Sequence, residues 1–155
     1  MNKFKITDNY KRILFCLAVI FWMALIFYLS SQPVQQSNGL SKKITKVVVD
    51  TIEKIVPKAE LNPKRVNHIL RKNAHFFAYL LLGILVMSML KIAKVHITKA
   101  VILALIICII YAISDEFHQL FVPGRGAQIK DVIIDTAGAI TGIILQVSIT
   151  KRLSK

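Results

Sequence analysis

The chain has 155 residues, 55% of them hydrophobic, with a mean hydropathy of +0.58 and a formal charge of +13. So apolar a composition excludes an ordinary soluble domain and points to long membrane-spanning runs. The basic excess does not read as a nucleic-acid surface: no nucleic-acid motif is present, and Lys and Arg crowd the ends of apolar runs, where anionic headgroups lie.

The first apolar run covers residues 13–30. It follows a basic tail and ends in Ser30-Ser31-Gln32-Pro33 with no Ala-x-Ala cleavage site, so it is expected to stay as a span rather than to be removed. Trp22 and Tyr28 within it read as packing residues or interfacial anchors. The segment from 31 to 73 alternates apolar and charged positions. Leu40, Ile44, Val47, Val48, Thr51, Ile52 and Ile55 share one helical face, while Lys42, Lys43, Lys46, Asp50, Glu53 and Lys54 fill the other. This spacing predicts an amphipathic helix lying on the membrane or on the bundle, broken by Pro57 and Pro63.

Three further apolar runs follow at 74–90, 97–114 and 132–150. All four runs sit at the short end of the roughly 17–25 residues a span requires, so their polar flanks are expected to extend the helices. Inside hydrocarbon every backbone amide needs an internal partner, which makes helices the expected solution. The expected fold is therefore all-α: an integral membrane four-helix bundle, one domain over residues 1–155, with an amphipathic helical outer loop. Cys16 and Cys108 lie within apolar runs and read as small hydrophobes.

Ten basic residues flank the spans on the side of the two tails and the 91–99 segment, and eleven on the other side. The ten lie in short segments next to span ends, so both termini are expected in the cytoplasm. Arg71 and Lys72, abutting the second span, weigh against this orientation.

From residue 74 onward the only carboxylates are Asp115, Glu116, Asp131 and Asp135. Ionisable groups at membrane depth are costly, and a function is the first reading for them. At 100° per residue, Lys72, His75, Tyr79 and Gly83 form one stripe on the second span, and Asp131, Asp135, Gly138 and Gly142 another on the fourth. On the third, Tyr111, Asp115 and His118 share a face, with Phe117, Leu120 and Phe121 turned away. Glycines let membrane helices approach closely, so the stripes are expected to meet and to gather their polar ends in one pocket near the outer leaflet. Lys72 and Arg125 would offset the carboxylates there, and Asp131 and Asp135 repel one another if both are ionised. Plainer readings stand beside this: His75 as an interhelical hydrogen-bonding residue, Asp131 as a helix cap, Pro123-Gly124-Arg125-Gly126 as a turn, and the whole group as an ion-pair network that fixes packing. With no His-Glu-x-x-His motif and only the Asp115–His118 spacing, no metal and no cofactor are expected. Ser30, Ser31 and Ser114 lack a nucleophile motif.

Ser30-Ser31-Gln32-Pro33, Arg71-Lys72-x-x-His75-Phe76-x-x-Tyr79, Ser114-Asp115-Glu116-x-His118-Gln119-x-Phe121-x-Pro123-Gly124-Arg125 and Asp131-x-x-x-Asp135-x-x-Gly138, in this order, resemble the VanZ-like family. The resemblance runs from the first span to the fourth. It implies a multi-pass protein of the bacterial cell membrane, in a family whose namesake is linked to low-level teicoplanin resistance. It marks Lys72, His75, Tyr79, Asp115, Glu116, His118, Gln119, Arg125, Asp131 and Asp135 as motif positions. Two functions are compatible with that set. One is a polar pocket that binds an amphiphile: a membrane lipid, a lipid-linked envelope intermediate or a glycopeptide. The other is an enzyme acting on a lipid-linked substrate, with His75, Glu116, His118, Asp131 and Asp135 as the candidates for acid–base chemistry.

Overall fold

The computed structural model describes residues 2–33, 46, 47, 49–51 and 62–153. Four helices carry it: α1 (Asn2–Ser30), α2 (Pro63–Ile92), α3 (Ile97–Gln119) and α4 (Ile129–Leu153), with no strand among the described residues. Each holds a stretch long and apolar enough to cross a membrane, namely Asn9–Ser30, His68–Ile92, Ile97–Gln119 and Ile129–Arg152. The helices run past the apolar segments because their polar flanks supply the turns that the short runs lack. In α3 the extension carries Asp115, Glu116, His118 and Gln119 as helical residues.

α2 is the hub. It packs on all three other helices and most extensively on α4, whereas α1 barely touches α3. Lipid tails are as apolar as leucine, so close packing rather than hydrophobic exclusion must hold such helices together. Two devices supply it. Gly138 and Gly142 of α4 lie against the backbone of Phe76 and Leu80 of α2, and Gly83 of α2 lies against Ala139 of α4. On α3, Ala100, Ala104, Cys108 and Ala112 recur every four residues and are all buried. The core between them is filled by Tyr79, Leu82, Val86 and Met87. Ile106, Ile110, Ile113 and Phe117 of α3 are exposed, on the surface a bilayer would cover. Trp22 is a packing residue: its indole N–H donates to the Ala78 carbonyl at 2.9 Å and ties α1 to α2.

The two ends of the bundle differ. At one, the Arg12 Nε–H donates to the Ile92 carbonyl at 3.3 Å and Lys91 Nζ donates to Thr150 Oγ1 at 2.8 Å. There α2 stops in a paired C-terminal motif: Val95 N–H bonds the Leu90 carbonyl, Lys94 N–H bonds the Lys91 carbonyl, and Lys94 takes φ 62°. A left-handed lysine costs about 1 kcal/mol that glycine does not. Lys94→Gly is expected to stabilise the protein by about that amount, read as a rise in its thermal midpoint in detergent. The other end carries the rare charges. The turn into α4 is of type II, with Pro123 followed by Gly124 at φ 78° and Arg125 N–H bonded to the Val122 carbonyl.

Of the amphipathic outer-loop helix, residues 46, 47 and 49–51 are described and are helical. Val49 is buried, while Val47 and Thr51 are exposed, so this turn presents Val49 to the protein rather than the Val47–Thr51 face of the sequence pattern. Leu40, Ile44, Val48, Ile52 and Ile55 lie outside the described residues.

Candidate functional site

The glycine contacts dictate what α2 and α4 bring together. With Phe76 on Gly138 and Leu80 on Gly142, the polar residues one turn further out must also face. His75 Nδ1 stands 3.4 Å from Asp135 Oδ1, and Lys72 Nζ stands 4.0 Å from Asp131 Oδ1. Asp135 is fully buried, and neither of its carboxylate oxygens has a hydrogen-bond partner. Asp131 lies in the first turn of α4, where a carboxylate meets the positive end of the helix dipole. Its place suits the helix dipole and it faces Lys72, but its Oδ1 makes no capping hydrogen bond.

α3 delivers two more acids on the face of its alanine stripe. Asp115 and Glu116 are buried, as is Gln119. Ser30, the last residue of α1, donates its hydroxyl to Asp115 Oδ1 at 2.5 Å. Gln119 Nε2 reaches Glu116 Oε1 at 3.1 Å and Asp115 Oδ2 at 3.4 Å. Glu116 Oε2 accepts the backbone N–H of Gln128 at 2.8 Å and so anchors the entry to α4. A ligand atom from each of His75, Asp115 and Asp135 lies within 4.8 Å of the others. The charged ends of three stripes thus converge, as the sequence pattern implies.

Other candidates take different places. His118 lays its ring on Phe27 of α1, with centroids 4.1 Å apart. Arg125 donates through Nη2 to the Leu29 carbonyl at 3.4 Å, which ties the α3–α4 turn to α1; its Nε and Nη1 are buried without partners. Burial pulls the Arg125 guanidinium below its ordinary range, and the charge of Arg71 adds to that, against Asp115 and Glu116. Tyr79 is fully buried one turn inward from His75, and its hydroxyl has no partner. Phe117 and Phe121 point outward and stack edge to face, their centroids 5.5 Å apart.

A cavity opens beside the α2–α4 pair, lined by His68, Arg71, Lys72, His75, Gln128, Asp131 and Ile134. Sequence reasoning did not single out His68, Gln128 or the role of Ser30. The spacing of His68 ahead of Lys72 and His75 would have placed it on the same stripe.

No curated protein and no solved structure matches the chain. The profile of the VanZ/LLP1 family matches residues 15–150. That span covers the four membrane-length stretches except residues 9–14 and 151–152, and contains every residue of the charged end described above. This four-helix membrane protein, with its carboxylates, imidazole and lysine gathered at one end, belongs to the VanZ/LLP1 family.

Proposed function

We propose that this protein of the bacterial cell membrane binds an amphiphile bearing an anionic head at the end of the bundle where the charges gather. The supporting observation is the cavity lined by His68, Arg71, Lys72, His75, Gln128, Asp131 and Ile134. Its lining is basic through Arg71 and Lys72; Arg125, outside that lining, is repelled by Arg71, and its Nε and Nη1 lack hydrogen-bond partners. An anionic group satisfies all three, and guanidinium groups suit phosphate and carboxylate. The exposed apolar faces of the helices would hold an acyl tail in the adjacent leaflet. A lipid-linked envelope intermediate, a phospholipid and teicoplanin, which carries an acyl tail, share that chemistry. The link of the namesake to teicoplanin resistance fits this reading.

The test uses the purified full chain in nanodiscs, titrated with teicoplanin and, separately, with phosphatidylglycerol. Arg71→Ala and Lys72→Ala are each expected to weaken binding of at least one of them about tenfold, or about 1.4 kcal/mol. Equal affinities for parent and variants would defeat the proposal. The cavity is proposed to face away from the cytoplasm, with both termini inside. A cysteine introduced at exposed Gly126 should then react with a membrane-impermeant maleimide added to intact cells. Labelling only after lysis would reverse the orientation.

A second reading rests on the 3.4 Å approach of His75 Nδ1 to Asp135. A carboxylate so placed fixes the tautomer and orientation of an imidazole that moves protons on a lipid-linked substrate. Mass spectrometry of phosphatidylglycerol or teicoplanin recovered after long incubation separates the two readings. An unaltered ligand favours the binder, and a cleaved or modified one favours the enzyme.

A further inference from the structure

Among the described residues, two buried side chains without hydrogen bonds, Asp135 and Tyr79, lie on the inward side of His75. Asp135 is 0% exposed and neither oxygen makes a well-formed hydrogen bond, although His75 Nδ1 stands 3.4 Å from Oδ1; the nearby Tyr79, also 0% exposed, has a hydroxyl without a partner. A buried carboxylate without hydrogen bonds is costly unless something else satisfies it. The atoms facing it are not a random set. His75 offers a ring nitrogen from α2, Asp115 a carboxylate oxygen from α3, and Asp135 a carboxylate oxygen from α4, all within 4.8 Å of one another. The 3.4 Å between His75 Nδ1 and Asp135 Oδ1 is the separation of two ligand atoms that share an ion about 2.1 Å away.

We infer that His75, Asp115 and Asp135 form a binding site for one divalent transition-metal cation. Charge supports it: two carboxylates and a neutral imidazole around a doubly positive ion sum to zero, the state a low-dielectric interior tolerates best. The supporting shell is in place. Ser30 and Gln119 hold Asp115 from two sides through hydrogen bonds, as ligating carboxylates usually require. The mixed nitrogen and oxygen set fits Zn2+ or Mn2+ better than Mg2+ or Ca2+, which prefer oxygen alone. The three ligands come from three helices, so no spacing motif within one segment announces them. The site shares His75 with the cavity lining, whereas the amphiphile reading rests on Arg71 and Lys72 there.

The full chain, purified in detergent without chelator, should contain about one Zn2+ or Mn2+ per molecule by elemental analysis. Stripping with EDTA should lower the thermal midpoint, and adding Zn2+ or Mn2+ chloride should restore it. Asp135→Asn and His75→Gln should each reduce bound metal at least tenfold, while Thr141→Ala, on the exposed side of α4, should retain it. Because the first two variants alter a buried pair, a spectroscopic readout accompanies them. In Co2+-loaded protein, His75→Cys should add a thiolate-to-cobalt charge-transfer band. Folded parent protein that carries no metal and shows no response to excess Zn2+ or Mn2+ would overturn the inference. So would equal metal content in parent and Asp135→Asn, or a Co2+ spectrum that His75→Cys leaves unchanged.

Discussion

Gly142→Ala is expected to destabilise the protein by about 2 kcal/mol, although alanine is the better helix former. In an exposed helix the exchange would stabilise by up to about 1 kcal/mol, because glycine loses more backbone freedom on folding. Here a Cβ would run into the backbone oxygen of Leu80, with the Leu80 carbonyl carbon and the Ile84 nitrogen next in line. These are main-chain atoms of a helix and cannot rotate away, so α2 and α4 must separate. Separation forfeits contacts along the most extensive interface of the bundle, and overpacking of this kind costs about 1–3 kcal/mol even where side chains can give. Gly138→Ala meets the Phe76 carbonyl and Gly83→Ala the Ala139 carbonyl, so both should behave alike. Gly142→Leu should yield no folded protein. Gly126→Ala is the control, since nothing lies within 4 Å of its Cβ position; it should stay within about 0.5 kcal/mol of the parent. Denaturation in mixed micelles, followed by circular dichroism, gives the comparison. Equal stability of Gly142→Ala and Gly126→Ala would mean that the helices are not held at glycine distance.

That interface is also the part of the fold most legible in the sequence. Lys72, His75, Tyr79 and Gly83 repeat at helical spacing, as do Asp131, Asp135, Gly138 and Gly142. Periodicity within one helix is a local property, and two stripes that both pass from charge to glycine have only one economical way to meet. The structure pairs them in that register, Lys72 with Asp131 and His75 with Asp135. What resisted reading depends on a third or fourth helix. The donation from Ser30 to Asp115 joins residues 85 apart, and nothing local in α1 marks its last serine as a partner. His118 shares its helical face with Asp115, yet Phe27 of α1 takes up its ring. Arg125 acts on Asp115 and Glu116 through its charge, as expected, but its donated hydrogen bond goes to the Leu29 carbonyl, which the sequence does not indicate. Glu116 is among the candidates named from the sequence, and its burial is legible too: it continues the stripe Ala100, Ala104, Cys108 and Ala112 by four residues, and a small-residue stripe in a span marks a packed face. The outer loop is helical where it is described, as its pattern implies, and differs there only in which face is covered. Both faces of a helix at an interface can be apolar to something, and Val49 rather than Val47 is the buried valine.

His75→Leu alone is expected to cost about 3 kcal/mol or more, whereas His75→Leu combined with Asp135→Leu should recover most of that loss. The reason is asymmetry. Removing one member of a buried polar pair strands the other in a low-dielectric site at about 3–5 kcal/mol, while replacing both with apolar groups of similar size is often neutral or stabilising. Asp135 is the member to strand, being fully buried with no hydrogen bond to fall back on, and Asp115 nearby adds a second carboxylate. The double variant therefore separates two explanations of the same geometry. If the pair exists only to fix helix packing, the double variant folds and keeps every biological property of the parent. If the pair belongs to a site, it folds at near-parental stability yet loses binding of teicoplanin or phosphatidylglycerol, or loses its metal, or both. The rim and the buried cluster are then told apart by which readout is lost. Arg71→Ala and Lys72→Ala should spare the metal and weaken the amphiphile, while the double leucine variant should abolish the metal whatever happens at the rim. Retention of all three properties (stability, metal content and ligand affinity) in the double variant would reduce His75 and Asp135 to a packing device.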